Sequence, residues 1–292
     1  AEALPGMADA IIISNAVGNP GRDVGCGAGA GSSLVSSDTG NGVNCTRGYF
    51  EAAYSCVEGE RCGLWGTDAE FGLSYAEIEG GEYGVYLNTG GLWLSYSEVG
   101  GGGDEQTGDG IHATGEAEIS IRHTAVEGGS PGSAGRGVFA SLSGGDSEVH
   151  VIASAIGAEG GTALEVEGCH LLSSDSVFWT EDGAPVALLR NDALNAGFRN
   201  CGFDLDFEGA TNAAIVLYGA GGDTNAPIPG IVNCQISTAA TNPIYTVGTA
   251  GGVSTGKVYI INTGMFTNVA PDVGKVPPER WDSYGNYKAG RN

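Results

Sequence analysis

The chain repeats one short residue pattern along most of its length. The stretches AYSCVEGERCGLWG (53–66) and SYAEIEGGEYGVYL (74–87) align without a gap. Each contains a tyrosine, an apolar residue three positions later, a glutamate, and an apolar pair after a later glycine. The underlying skeleton is an apolar residue, a central residue two positions later, and a second apolar residue three positions after that. Its central residues are Tyr54, Tyr75, Tyr96, His123, Ala153, Ser174, Asn200, Asn233 and Asn262.

A second short pattern lies between these copies. It has four positions: a small residue or proline, an apolar residue, any residue, and an apolar or small residue. It occurs at 84–87, 110–113, 137–140, 163–166, 185–188, 214–217 and 243–246. This alternation predicts short β-strands, and no stretch has the sustained apolar stripe of a helix. Glycine supplies 53 of the 292 residues, which predicts many turns. Short strands repeated at such intervals favour a parallel β-solenoid, in which each repeat is one coil.

A solenoid places equivalent residues of successive coils directly above one another, about 4.8 Å apart. The central residues of the skeleton should therefore form one column. We expect ring stacking among its tyrosines and His123, and hydrogen bonds among the amides of Asn200, Asn233 and Asn262.

The segments GVYLNTGGLWLSYSEV, GIHATGEAEISIRHTAV and AGFRNCGF, together with the asparagine column, resemble the parallel β-helix of pectate-lyase-like proteins and bacteriophage tailspikes. The resemblance covers residues 50–266 and implies an all-β, right-handed parallel β-helix of about ten coils. Residues 1–49 are predicted to form an N-terminal cap with the first coil or coils. Residues 267–292, which contain three of the ten prolines, are predicted to form an extended C-terminal arm outside the repeat.

Charge and cysteine usage limit the partners. The chain has 35 acidic and 12 basic residues, a net charge of -23, and such a surface repels nucleic acid. The apolar run of residues 10–13 is too short for membrane insertion. The seven cysteines contain no C-x-x-C zinc or redox motif, and we interpret most of them as free thiols of a chain assembled in reducing cytosol. Cys201 and Cys234 are equivalent positions of adjacent coils, so they could form a bridge in an oxidising compartment.

Four aromatic residues occupy the same outward position of the second pattern in consecutive coils. They are Trp65, Tyr86, His112 and Phe139. A column of exposed rings predicts an interface or a ligand platform, and sugar rings are ligands that stack on aromatic faces. Trp93, on the neighbouring strand face, would widen this surface. The alternative is that loops or a sister subunit cover the rings.

The loop GGGGDEQTGDG places Asp104, Glu105 and Asp109 beside that column. Two carboxylates about 5 to 10 Å apart can act as acid and base on a glycosidic bond. Clustered oxygens can also bind calcium, the one cofactor we consider, and the alternative to both is a solvated acidic loop. The four histidines have no metal-ligand spacing, and no motif assigns the calcium ligands or the arginine base of a pectate lyase to particular residues.

The function expected first is that of a bacteriophage tailspike or receptor-binding protein that recognises host cell-surface polysaccharide, with or without cleaving it. The tailspike resemblance implies a homotrimer in contact with other virion proteins, located in the virion tail or outside the cell. One alternative is a polysaccharide lyase or glycoside hydrolase of pectate-lyase-like fold. The other is a purely structural virion or cell-surface protein, because this architecture carries many unrelated functions.

Overall fold

The computed structural model describes residues 11–14, 33–37, 40–102, 108–181, 184–190, 195–205, 214–218, 230–238, 244–247, 258–267, 281–284 and 287–290. All regular secondary structure in these ranges is β-strand, and every strand pairs in parallel with strands from neighbouring turns. The expected parallel β-solenoid is confirmed. Within the described residues no helix is long and apolar enough to cross a membrane.

Each turn of the solenoid has three sides, which we call side 1, side 2 and side 3 in chain order. Sides 1 and 2 belong to one 17-stranded sheet, and side 3 is an 11-stranded sheet. Three long strands bend from side 1 into side 2: β6 (Cys62–Ser74), β8 (Tyr83–Ser95) and β10 (Asp109–Arg122). The other strands of side 1 are β1 (Ile11–Ser14), β3 (Val43–Thr46), β12 (Val138–Leu142), β15 (Leu164–Glu167), β18 (Ala187–Leu189), β21 (Ile215–Tyr218) and β24 (Ile244–Val247).

The remaining strands complete sides 2 and 3. Side 2 adds β4 (Tyr49–Ala53), β13 (Glu148–Ile152), β16 (His170–Ser174), β19 (Asn195–Arg199), β22 (Gly230–Val232), β25 (Val258–Ile261) and β27 (Trp281–Tyr284). Side 3 consists of β2 (Ser33–Ser37), β5 (Ser55–Gly59), β7 (Glu77–Gly80), β9 (Glu98–Gly101), β11 (Ala125–Gly128), β14 (Ala155–Ala158), β17 (Val177–Thr180), β20 (Gly202–Leu205), β23 (Gln235–Thr238), β26 (Gly264–Thr267) and β28 (Tyr287–Gly290).

The solenoid has about seven complete turns rather than ten, and they lie within residues 40–205, where nearly the whole chain is described. Parts of two further turns follow, with corners at Asn233 and Asn262. Strands before and after this range extend the sheets. In particular, β1 pairs with β3, and β27 and β28 pair in parallel with β25 and β26. Strands from both terminal parts therefore add to the solenoid, and the boundaries 1–49, 50–266 and 267–292 stay a prediction.

The core is a stack of inward side chains. On side 1, successive turns contribute residues that pair in register and are fully buried: Leu64, Val85, Ile111, Val138 and Leu164. Because side chains alternate between the two faces of a strand, every second residue of a three-sided coil enters this core. The short alternating apolar pattern of the sequence reflects that geometry.

One corner of every described turn is formed by a residue with left-handed backbone. These residues lie between sides 2 and 3, have φ angles of 48° to 55°, and are Tyr54, Tyr75, Tyr96, His123, Ala153, Asp175, Asn200, Asn233 and Asn262. Positive φ is uncommon outside glycine, so the recurring corner is a defining feature of this coil. It is also the column of central residues expected from the sequence.

The expected column was wrong at one turn, where Asp175 and not Ser174 holds the corner. Leu172 and Val177, which suggested the skeleton there, are 53% and 50% exposed and point outward. The inward residues are Ser173 and Phe178, one position later. In this turn two apolar residues point outward and a polar residue points inward. The apolar pattern of the sequence therefore placed the corner one residue too early.

The corner side chains interact as expected except at Asn200, whose amide donates to Asp175 Oδ1 at 3.0 Å and not to a neighbouring asparagine. The Tyr54, Tyr75 and Tyr96 rings stack at centroid distances of 4.8 and 5.1 Å, and His123 continues the stack at 4.7 Å from Tyr96. The Asn262 side-chain amide donates to Asn233 Oδ1 at 2.9 Å. One column thus contains ring stacking in its first turns and amide hydrogen bonds in its last turns.

The residue after each corner forms a second column, which we call the corner ladder. Its members point inward, and eight of the nine in the described turns are serine, threonine or cysteine: Ser55, Ala76, Ser97, Thr124, Ser154, Ser176, Cys201, Cys234 and Thr263. Most backbone N–H groups of the ladder donate to the side chain of the member in the next turn, as Thr124 does to Ser154 Oγ at 3.2 Å. The Ser154 hydroxyl in turn donates to the Ile152 carbonyl at 2.8 Å.

The corner ladder explains two of the cysteines. Cys201 and Cys234 are consecutive members, and the Cys201 N–H donates to Cys234 Sγ at 3.4 Å. The six cysteines within the described residues form no disulfide. The two thiols thus occupy positions that hydroxyl groups hold in other turns.

Removal of one ladder hydroxyl should destabilise the solenoid. Ser154→Ala leaves the buried Thr124 N–H without its acceptor, and an unsatisfied buried donor costs about 1 to 3 kcal/mol. We expect a lower urea midpoint with an unchanged circular dichroism spectrum. Ser143→Ala, a change of the same size at an exposed position outside the ladder, is the control. Equal midpoints for the two variants would contradict the ladder's contribution.

Completion of the ladder should have the opposite effect. Ala76 is the one ladder member without a polar side chain. It therefore offers no side-chain acceptor to the ladder N–H of the preceding turn. Ala76→Ser should raise the free energy of unfolding by about 1 kcal/mol, the usual net value of one hydrogen bond. The measurement is the same urea titration, and a lower midpoint would show that this corner has no room for the hydroxyl.

Candidate functional site

The four aromatic residues singled out in the sequence form one column on the outer surface of side 1. Strand register pairs Trp65 with Tyr86, Tyr86 with His112, and His112 with Phe139. We call these four residues the aromatic column. Trp93 lies elsewhere, because it points outward from side 2, in register with Gly72 and Ser120. The structure thus brings four of the five predicted ligand-binding residues together.

The rings of the aromatic column stack on one another. The Trp65 and Tyr86 centroids are 4.0 Å apart with an interplanar angle of 13°, and Tyr86 and His112 are 5.3 Å apart at 11°. Arginines lie over the rings at both ends, Arg61 at 5.7 Å from Trp65 and Arg136 at 3.7 Å from Phe139. Most ring faces are therefore covered, and the column presents ring edges to the outside.

A column of polar side chains runs beside the aromatic column. It stands two residues further along each strand of side 1, and we call it the polar column: Thr46, Thr67, Asn88, Thr114 and Ser141. Alternate residues of a strand point the same way and are about 6.6 Å apart, so both columns share one surface. That surface combines apolar edges with hydroxyl and amide groups at a regular spacing.

Asp109 lies at the inner edge of the aromatic column and is 1% exposed. Its carboxylate accepts hydrogen bonds from the Arg136 backbone N–H and from Arg136 Nε and Nη2, each at 2.9 Å. It also contacts His112 Nδ1 at 2.7 Å. Burial alone would raise the pKa of Asp109, but the hydrogen bonds from His112 and Arg136 outweigh it and lower the pKa.

The ion pairs continue along the side of the solenoid. Arg136 Nη1 is 3.2 Å from Glu165 Oε2, and Arg190 Nε contacts the other oxygen of Glu165. Glu165 holds the position after Phe139 in the same column. The aromatic column therefore passes into a chain of alternating charges, which is nearly neutral on an otherwise acidic protein.

These contacts limit the chemistry open to the predicted catalytic residues. Asp109 is ionised and enclosed, so it is a poor proton donor, but it can orient His112 so that Nε2 is the ring nitrogen left for a ligand. Asp104 and Glu105 lie outside the described residues. Arg136 and Glu165 were not among the predicted site residues. The sequence did contain one signal for the contact between Asp109 and Arg136. Each of them directly precedes the glycine at the start of a side 1 strand, so the two residues hold equivalent positions in adjacent turns.

Side 3 carries a groove lined by glutamates, which we call the acidic groove. Its volume is about 1010 Å³, and its acidic lining residues are Glu58, Glu60, Glu79, Glu98, Glu127 and Glu159. Burial, followed by the neighbouring carboxylates, raises the pKa of both Glu79 and Glu127. Among the residues that the structure describes, no three His, Cys, Asp or Glu side chains are placed to hold a metal ion. Calcium binding stays a prediction.

The acidic groove should make the solenoid more stable in mild acid. A carboxyl group with a raised pKa in the folded state contributes stability that is present below its unfolded pKa, near 4.5, and is lost as pH rises. We therefore expect a higher melting temperature at pH 5 than at pH 7. Asp109 opposes this only at lower pH, because its pKa is depressed below 3.8.

Replacement of glutamates by uncharged glutamine tests whether the pH dependence of stability arises in the acidic groove. The double change Glu79→Gln and Glu127→Gln should reduce the melting-temperature difference between pH 5 and pH 7. Glu70→Gln, at an exposed glutamate of side 2 that is in register with Tyr49 and Gly91, should leave it unchanged. A lower melting temperature at pH 5 than at pH 7 in the unsubstituted chain would contradict the prediction.

Comparisons with protein-family models, with curated proteins and with solved structures find no match for this chain. The function is therefore argued from the geometry of its surfaces.

Proposed function

We propose that this chain is a polysaccharide-binding solenoid whose ligand lies along side 1, across the aromatic column and the polar column. The observation that carries the proposal is the pairing of these two columns on one flat surface. A sugar ring has both apolar C–H groups and hydroxyls, and the two columns offer a partner for each.

The regularity of the surface supports a polymeric ligand. Equivalent contacts recur about every 4.8 Å along the solenoid, so an extended glycan can use several turns at once and gain avidity. The rings are held by stacking and the polar residues stand on paired strands, so little side-chain freedom is lost on binding. The net charge of -23 disfavours anionic polymers, which makes a neutral polysaccharide the favoured ligand.

The more specific proposal is that the chain is a bacteriophage tailspike or another receptor-binding protein of the virion tail. It would attach the virion to host cell-surface polysaccharide, outside the cell, as a homotrimer joined to other virion proteins. Its support is the sequence resemblance described above and the stiffness of a continuous solenoid. Native mass tests the stoichiometry, since a homotrimer has three times the chain mass of 29.4 kDa.

Cleavage of the polysaccharide is the second candidate, and the contact between Asp109 and His112 favours it. A carboxylate on Nδ1 leaves Nε2 to accept a proton, as a hydrolase or lyase of pectate-lyase-like fold requires of a base. His112→Gln should then abolish the formation of cleavage products, a loss much larger than the weakening of glycan binding expected from removal of one ring of the column. Unchanged turnover in that variant would remove this candidate, and a chain without binding or turnover would support the purely structural alternative.

Loss of one ring from the aromatic column should weaken glycan binding. Tyr86→Ala removes the ring between Trp65 and His112, and we expect the dissociation constant for a polysaccharide found on a glycan array to rise about tenfold. Thr114→Val, which replaces a hydroxyl of the polar column at nearly constant volume, should also weaken binding.

Tyr75→Ala is the matched control. Tyr75 is likewise the middle ring of a stack, but it lies at the corner between sides 2 and 3, away from side 1. Its variant should bind glycan like the unsubstituted chain, and melting temperatures confirm that all variants fold. Equal losses of glycan affinity in Tyr75→Ala and Tyr86→Ala would show that the binding surface is not on side 1.

A further inference from the structure

Two glycines on the outer surface of side 2 have no role inside the solenoid. Gly197 and Gly230 are in register in adjacent turns. Neither has a left-handed φ. A Cβ atom added at Gly197 would come no closer than 3.8 Å to Leu172, and one at Gly230 would have no described atom within 4 Å. By contrast, a Cβ at Gly84 of side 1 would come within 2.6 Å of Val99.

Glycine in a strand weakens it, so its presence there calls for a reason. The usual reasons are a bulge, a tight bend or the close approach of another chain or ligand. The regular pairing at Gly197 and Gly230 excludes a bulge at these two positions. Because both glycines lie on the outer face of side 2, next to exposed Leu172, we take close approach of another chain or ligand as the reason for them.

The two glycines form the floor of an apolar hollow, which we call the glycine groove. It has a volume of about 320 Å³, and its apolar walls are Ile152, Leu172 and Val232, with Phe198 alongside. Leu172 is 53% exposed, which is unusual for a leucine on a strand. An exposed apolar surface of this kind marks an interface.

None of the described residues that line the glycine groove carries a negative charge. Its lining residues include His150 and Arg199 but no carboxylate, although the chain has 35 acidic residues. Earlier turns of the same side carry outward glutamates, including Glu51, Glu70 and Glu118. Two chains of net charge -23 repel each other over most of their surface, and this groove is a place where they can meet without facing carboxylates.

The shape of the groove is complementary to itself. Leu172, Gly197 and Gly230 are consecutive in one column, so a protruding side chain lies two turns from an empty position. A twofold axis that lies in the interface above Gly197, perpendicular to the solenoid axis, places side 2 of the partner against side 2 and reverses the order of that column. Each Leu172 then faces the Gly230 of the other copy, and the contact is made twice, as in isologous dimers.

We propose that a second copy of this chain packs antiparallel on the glycine groove, with Leu172 of each copy seated over Gly230 of the other. The pairing buries the exposed leucine and uses the space that the two glycines leave open. It is an alternative to the three-copy arrangement of the tailspike form, from which the particle mass distinguishes it, and it leaves side 1 of both copies open to a glycan.

Sedimentation equilibrium of the full chain tests the pairing. The unsubstituted chain should form a particle of two copies, and Gly230→Glu should raise the dissociation constant for pairing at least tenfold by filling the hollow with a charged side chain. Gly145→Glu is the matched control, because a Cβ at exposed Gly145 also meets nothing within 4 Å. It adds the same charge and should leave the mass unchanged.

A cross-link tests the geometry independently of affinity. Gly197 lies next to the proposed axis, so Gly197→Cys should form a disulfide-linked pair under mild oxidation, whereas Gly145→Cys should not. A single-copy particle at high concentration, a trimer, or pairing that Gly230→Glu does not weaken would each overturn the proposal. So would a Gly230→Glu variant that loses glycan binding while keeping its mass, because the groove would then hold glycan and not a second copy.

Discussion

The fold depends on how each coil satisfies the backbone at its left-handed corner. The residue after the corner points its side chain inward, where its neighbouring N–H groups have no access to water. A buried N–H without an acceptor is costly, and the hydroxyl or thiol of the next turn supplies the acceptor. One side chain thus links two turns and closes its own corner through the bond to the carbonyl two residues earlier. The sharp bend between sides 2 and 3 recurs because this arrangement recurs.

With the backbone secured in this way, the outward positions are free to differ between sides. Side 1 carries stacked rings, hydroxyls and paired ions, side 3 carries glutamates around glycines, and the later turns of side 2 carry apolar residues and empty positions. Each surface is a set of columns, because equivalent residues of successive turns lie in register. Any ligand or partner of this chain therefore meets a periodic surface, and chemical differences between turns decide where along the axis it binds.

Much of this organisation could be predicted from residue order. The repeated skeleton predicted parallel coils, the stacked tyrosines and the shared column of Trp65, Tyr86, His112 and Phe139, because period and register follow from spacing alone. Spacing failed at Ser174, where exposed Leu172 and Val177 resembled inward residues. The link between Asp109 and Arg136 was not predicted, since the intervening loop has its own length and nothing local marks the pair. The open space that the described residues leave beside Gly230 was equally hidden, because a sequence does not show what a missing side chain would touch.

The corner ladder is interrupted at Ala76, which supplies no side-chain acceptor to the turn before it. In a linear array each coil is held mainly by its neighbours, so opening can begin at an end and spread inward coil by coil. Fraying that starts at Ser55 meets an interface with one bond fewer at Ala76 and then a continuous series from Ser97 onward. Amide hydrogens of the coils before Ala76 should therefore exchange with solvent faster than those of the coils from Ser97 onward.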